Sequence, residues 1–147
     1  FFDTTVLLGG FIDFGASSIH AQKIVDAVAD GVISDARTAW HCCLEFYSVA
    51  TRLPAGYRLA PHQAVCMLEN IVSIFRVEQL PQLAHRQFWA TAAIERVAGG
   101  RIYDAHIAEI ARLAGAGIVV TDNRRHFTLL MKHGVRVLRP KELAEEL

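Results

Sequence analysis

The sequence predicts an α/β fold, a three-layer αβα sandwich around a mainly parallel sheet, and three observations carry that expectation. Short aromatic or β-branched runs alternate with segments whose apolar residues recur every three to four positions. Gly or Pro marks most of the joints between them. Ile118-Val119-Val120-Thr121 shows no polar alternation, the mark of a strand covered on both faces. Strands alternating with helices in this way imply parallel neighbours with helices on both sides.

Phe1-Phe2-Asp3 reads as the C-terminal end of a buried strand, and a start at Phe1 without methionine suggests that some residues of that strand are missing. Ser17 and Ser18 are placed to cap a helix carrying Ile19, Ile24, Val25 and Val28, which Gly31 ends. A short strand is expected at about Val32 to Ser34, followed by a helix with Cys42, Phe46, Val49 and Leu53 on one stripe. Leu53-Pro54-Ala55-Gly56 is a turn, Pro61 starts a helix through Val65, Leu68 and Ile71, and Ile74-Phe75-Arg76-Val77 is strand-like. Pro81 opens a helix with Leu83, Phe88 and Ile94, and Gly99-Gly100 separates it from the next, which carries Asp104, Ile107, Ala108 and Ala111. Gly115-Ala116-Gly117 then precedes the Ile118 strand. A helix around Phe127 to Met131, a strand Val135 to Leu138 and a helix after Pro140 complete the pattern. With no linker or repeat, residues 1–147 read as a single domain.

At 52% hydrophobic residues the chain has material for a full core. Fifteen Lys and Arg balance fifteen Asp and Glu, which argues against indiscriminate nucleic-acid binding through bulk charge. The charges are unevenly spread: Asp3, Asp13, Asp26, Asp30, Asp35 and Glu45 lie early, and Arg124, Arg125, Lys132, Arg136, Arg139 and Lys141 crowd the end. A phosphate backbone fits across such a boundary. Cys42, Cys43 and Cys66 fall in apolar helical stretches and read as reduced core residues of a cytoplasmic protein. No signal-peptide pattern or membrane-length apolar run is present, so a soluble protein is expected.

Three acids sit where acids are costly. Asp3 ends an apolar run, Glu45 lies at the edge of an apolar helical stripe, and Asp104 shares a face with Ile107, Ala108 and Ala111. In an open parallel sheet the C-terminal strand ends share one edge, so the Thr121-Asp122-Asn123 loop belongs near Asp3. Clustered oxygen ligands without paired His or Cys favour Mg²⁺ or Mn²⁺ over Zn²⁺. Such an ion suits phosphodiester hydrolysis.

Four segments carry a family resemblance: Phe2-Asp3-Thr4-Thr5-Val6-Leu7-Leu8, Leu44-Glu45-Phe46-Tyr47-Ser48-Val49 with Thr51-Arg52, Tyr103-Asp104-Ala105-His106-Ile107-Ala108, and Val120-Thr121-Asp122-Asn123-Arg124-Arg125-His126-Phe127. In this order the chain resembles a PIN-domain ribonuclease of the VapC toxin type over nearly its whole length. The resemblance implies a Mg²⁺- or Mn²⁺-dependent endoribonuclease, an RNA substrate, a homodimer and a cognate antitoxin. It assigns the catalytic acids to Asp3, Glu45 and Asp104, with Asn123 at a fourth position that is acid or amide in the family and Asp122 as its alternative ligand. Thr5, where the family often has asparagine, and Thr121 are then hydrogen-bond partners of the ligand carboxylates, and Arg124 and Arg125 are RNA contacts.

Blander readings stand beside these. Asp3 could cap a helix beginning at Thr4, Asp104 could serve the helix dipole, and Glu45 could face solvent. His20, His41, His62, His85, His106 and His133 lack metal-ligand spacing, and Trp40 and Trp89 read as core or dimer contacts. A haloacid-dehalogenase-like phosphatase also follows its first strand with an Asp, but needs a second acid where this chain has Thr5. A non-catalytic PIN-like module that binds RNA or protein is the rival of a different class.

Overall fold

The computed structural model describes residues 1–147 and is built on short parallel strands. β1 (Arg37–Ala39) pairs in parallel with β2 (Arg76–Glu78), and β3 (Ile118–Val120) pairs in parallel with β4 (Arg136–Leu138). Phe1 and Phe2 join the two pairs. Phe2 bridges Val120 in parallel, Val120 N–H donates to the Phe1 carbonyl (2.9 Å), and Phe2 N–H donates to the Arg37 carbonyl (2.8 Å). The spatial order is therefore β2, β1, the Phe1–Phe2 segment, β3 and β4, with the N-terminal segment central. Thr38 is fully buried there, and its hydroxyl donates to the Phe2 carbonyl (2.8 Å), so no polar atom is stranded.

The helices are α1 (Thr4–Phe11), α2 (Ile19–Ala29), α3 (Trp40–Ala50), α4 (Pro61–Ile74), α5 (His85–Ile94), α6 (Arg101–Leu113) and α7 (Pro140–Glu146). α1 springs directly from the central segment and packs on α2 and α3, α2 packs on α7, and α6 packs on β1 and α5. Gly9 and Gly10 allow the α1–α2 approach: a Cβ at Gly10 would lie 2.3 Å from Val25 Cγ2. One cluster of 28 buried residues runs through these elements from Phe1 to Ala144, with Phe46 of α3 and Phe127 among its largest fully buried side chains.

Several expectations need correction. The strand placed at Val32 to Ser34 lies instead at Arg37–Ala39. Gly31 (φ 74°) and Asp35 (φ 55°) both take left-handed backbone, so the intervening residues turn, Val32 is exposed, and pairing begins after the turn. Ser17 and Ser18 make no side-chain cap; Ser18 Oγ accepts from the Phe14 backbone and Ser17 Oγ donates to the Phe14 carbonyl (3.0 Å). The helix around Phe127 is a pair of 3-10 turns, Arg124–His126 and Thr128–His133, closed by left-handed Gly134. Cys42 and Cys43 are core residues, but Cys66 is exposed. It follows Ala64 by two positions, about 200° around α4 from the buried face. Trp40 and Trp89 lie outside the core, at 50% and 61% exposure, which leaves the dimer-contact half of their reading standing.

Candidate active site

Asp3 occupies the junction between the central strand segment and α1 and is 3% exposed. It holds the N-cap position of α1, yet its carboxylate makes no capping hydrogen bond. Two threonines take it up instead. Thr121 Oγ1 donates to Asp3 Oδ2 at 2.7 Å, and Thr5 Oγ1 approaches the same oxygen at 3.3 Å. Those hydroxyls accept in turn from the loop after β3: Asn123 N–H donates to Thr121 Oγ1 (2.9 Å) and Asp122 N–H to Thr5 Oγ1 (3.1 Å). The strand-end loop is thus stitched to Asp3 through two hydroxyls, and the capping reading of Asp3 fails.

Burial pushes the Asp3 carboxyl above its ordinary range, and the nearby Glu45 charge adds to the rise. The Thr121 hydroxyl, the Thr4 backbone N–H and the Thr5 hydroxyl oppose the shift, in that order, without cancelling it. Burial, then the Asp3 charge, pushes the neighbouring Cys42 thiol up to about 12, so that sulfur stays protonated and unreactive.

Glu45 stands on α3 with a half-buried side chain. Thr4 Oγ1 donates to Glu45 Oε2 (2.5 Å), and His41 Nε2, one turn earlier, lies 3.6 Å from Oε1. Burial would raise its carboxyl, but His41 and Thr4 together outweigh it and hold the group below its ordinary value. Two carboxylates with opposite shifts thus adjoin at the strand-end edge. One is dry and resists charge; the other is held charged.

Asp104 is placed differently. Its Oδ2 lies 2.7 Å from His126 Nδ1, a close carboxylate–imidazole pair whose buried nitrogen has no other partner. Both line a cavity beside α6 together with Arg101 and Arg112, and neither Asp3 nor Glu45 lines it. No three His, Cys, Asp or Glu side chains stand together as a metal-holding group, and Asp104 faces His126 while Asp3 faces Thr121. Asp122 and Asn123 are exposed and reach Asp3 only through their backbone N–H groups. Arg124 pairs with Glu142 (3.2 Å), while Arg125 is exposed and donates to His126 Nε2 (3.1 Å).

No family model matches the chain. It is 34% identical over 122 residues to the ribonuclease VapC40 of Mycobacterium tuberculosis, in strains CDC 1551 / Oshkosh and H37Rv, covering 83% of this chain and 85% of the relative. The chain belongs to the VapC ribonuclease family. The solved structure of VapBC-1 from nontypeable Haemophilus influenzae superposes with a TM-score of 0.63 at 15% identity, over 95% of this chain and 96% of that one. The fold is accordingly the α/β fold of a VapC-type PIN domain, and Asp3, Glu45 and the Thr121 loop lie on its strand-end edge.

Two residues of this VapC chain escaped the sequence reading. His41 lacks metal-ligand spacing, yet its position four before Glu45 puts both on one helical face. His126 lies within the fourth sequence motif, and nothing local to it signals a contact with Asp104.

Proposed function

We propose that the chain is a divalent-metal-dependent endoribonuclease and the toxin half of a toxin–antitoxin pair. The observation that carries the metal is Asp3: a buried carboxylate, pushed up by burial, set against a second carboxylate. Its surroundings are oxygen donors, from Glu45, Thr5 and Thr121, which suit Mg²⁺ or Mn²⁺. Asp3 and Glu45 would hold the ion, and Asp104 would join them only on leaving His126. When bound, the ion lowers the pKa of a water and neutralises charge building on the phosphate oxygens. Thr121 and Thr5 keep Asp3 oriented, and the Asp122-Asn123 backbone they hold leaves both side chains free at the rim.

Arg125 is available to an RNA phosphate, whereas Arg124 must first leave Glu142. An antitoxin and a homodimer belong to the same reading, supported by the exposed apolar strip of Trp40, Leu44 and Tyr47 on α3 with Val65 and Val72 on α4. No helix is long and apolar enough to cross a membrane, which is compatible with action in the cytoplasm.

The rival, a PIN-like module that binds without cutting, draws on the engagement of Asp104 with His126. The phosphatase alternative falls away because Thr5 offers no carboxyl. Cleavage of a mixed RNA pool by the purified chain separates the first two. Cutting with Mn²⁺ that is absent with chelator and in Asp3→Asn supports the nuclease; folded chain that cuts nothing supports the binding module.

A further inference from the structure

A second cavity, about 270 Å³, opens beside the acidic site and is unlike it in chemistry. Phe88 and Trp89 of α5, Tyr103 and His106 of α6, His41 of α3 and His85 form its aromatic lining. The rings meet at two kinds of angle: His41 and His106 are 5.2 Å apart at 64° and Phe88 and His106 5.5 Å at 64°, both edge-on, while His41 and Tyr103 are 5.5 Å apart at a tilted 36°. A flat guest would meet both faces and edges. Trp89 and Tyr103 stand at the mouth, 61% and 55% exposed, so they are not used by the core.

The polar groups fit the same kind of guest. His41 Nδ1 and His106 Nδ1 face each other at 3.3 Å, sharing one proton position, while His85 Nε2 lies 3.2 Å from the Leu80 carbonyl. The three imidazoles do not form a metal-ligand group. With those nitrogens engaged, His106 Nε2 and His85 Nδ1 are the ring nitrogens left to the guest on this wall of rings, and such groups read the edge of a stacked base. His41 belongs to both sites, because its Nε2 is 3.6 Å from Glu45 Oε1. The cavity and the Glu45 carboxylate therefore adjoin through a single side chain.

We propose that this cavity is a nucleobase pocket, taking one unstacked base of the single-stranded RNA whose backbone lies at Asp3 and Glu45. It rests on the ribonuclease reading above and adds to it the means of choosing a base. The cavity lies just below the usual range for small-molecule sites, a size for one ring system rather than a run of bases. Stacking on the exposed rings supplies affinity, and His106 Nε2 with His85 Nδ1 supplies the choice.

The test is RNA binding by the full chain in chelator, where nothing is cut, followed by fluorescence anisotropy of labelled single-stranded RNA. An abasic site is moved along the strand one nucleotide at a time. One abasic position should weaken binding to the wild type about 10-fold and have no effect on the Trp89→Ala/Tyr103→Ala variant. Trp89→Phe, which keeps a stacking face, should restore the dependence. Both positions are exposed, and an unchanged thermal melt certifies the fold of each variant. Indifference to abasic sites at every position, or the same loss in the variant, overturns the pocket. Unchanged RNA binding by a variant that no longer binds an antitoxin assigns the cavity to a protein side chain and also overturns it. Cleavage with Mn²⁺ is scored separately. Base-dependent binding without cutting supports the pocket while defeating the nuclease, and cutting without base dependence does the reverse.

Discussion

Replacing Thr121 by Val probes the hydroxyl that ties the last strand to the buried acid. Thr121 is fully buried, and Val fills nearly the same volume, so the substitution removes a hydrogen bond without opening a cavity. The lost bond is short, 2.7 Å, and runs to a carboxylate, a class that contributes about 1.5–3 kcal/mol. The second bond of the hydroxyl, from Asn123 N–H, belongs to an exposed residue, and water replaces it at little cost. Thr121→Val should therefore lose about 2 kcal/mol in urea unfolding, through a lower midpoint at unchanged slope. Thr5→Val, whose contact with Asp3 is 3.3 Å, should lose less than about 1 kcal/mol. In an Asp3→Asn background the amide oxygen still accepts from Thr121, but as a neutral partner, and the Thr121→Val loss should fall to about 1 kcal/mol. Equal losses in the two backgrounds would refute a hydroxyl–carboxylate bond.

Three further outcomes are expected. Asp3 has a raised folded pKa, so its contribution to stability is complete below the ordinary carboxyl value and is lost as pH rises through the raised one. Asp3→Asn should lack that decline and be at least as stable as wild type at pH 7 without metal, in urea melts between pH 4 and 8. Glu45 is shifted the other way: it stabilises the fold above its ordinary value and loses that contribution as pH falls through the lowered one. His41→Ala should move the Glu45 titration upward, as read by carboxyl NMR. Gly10→Ala forces a Cβ against Val25 and should cost about 1–3 kcal/mol in the same urea assay, whereas Gly56→Ala, with open space around it, should not.

The alternation of strands and helices was legible because it rests on local signals. Pro61 and Pro140 start α4 and α7, and the apolar Ile118 run became a strand buried between its neighbours. The β1 strand was misplaced because Val32 looks like strand material, while the left-handed backbone at Gly31 and Asp35 that delays pairing depends on Arg37 gripping Asp35 (2.8 Å) and Glu78 (3.1 Å). Asp3 and the Thr121 loop could be joined on paper because parallel strands end on one edge. Asp104 could not be placed that way, since its contact with His126 depends on how α6 sits against a 3-10 turn. The aromatic cavity was illegible for the same reason: its rings come from α3, α5 and α6, and each alone looks like an ordinary surface or core residue.

The central claim, that these carboxylates exist to hold a divalent cation, is tested most directly by titrating Mn²⁺ calorimetrically into the metal-free chain. Saturable binding should occur in the wild type, and Asp3→Asn and Glu45→Gln should each abolish it, because both remove a carboxylate from the buried edge. Asp104→Asn should weaken it less if His126 keeps that acid apart in the free protein. Binding unchanged by Asp3→Asn, or no saturable binding to a chain that still cuts RNA, would contradict the account.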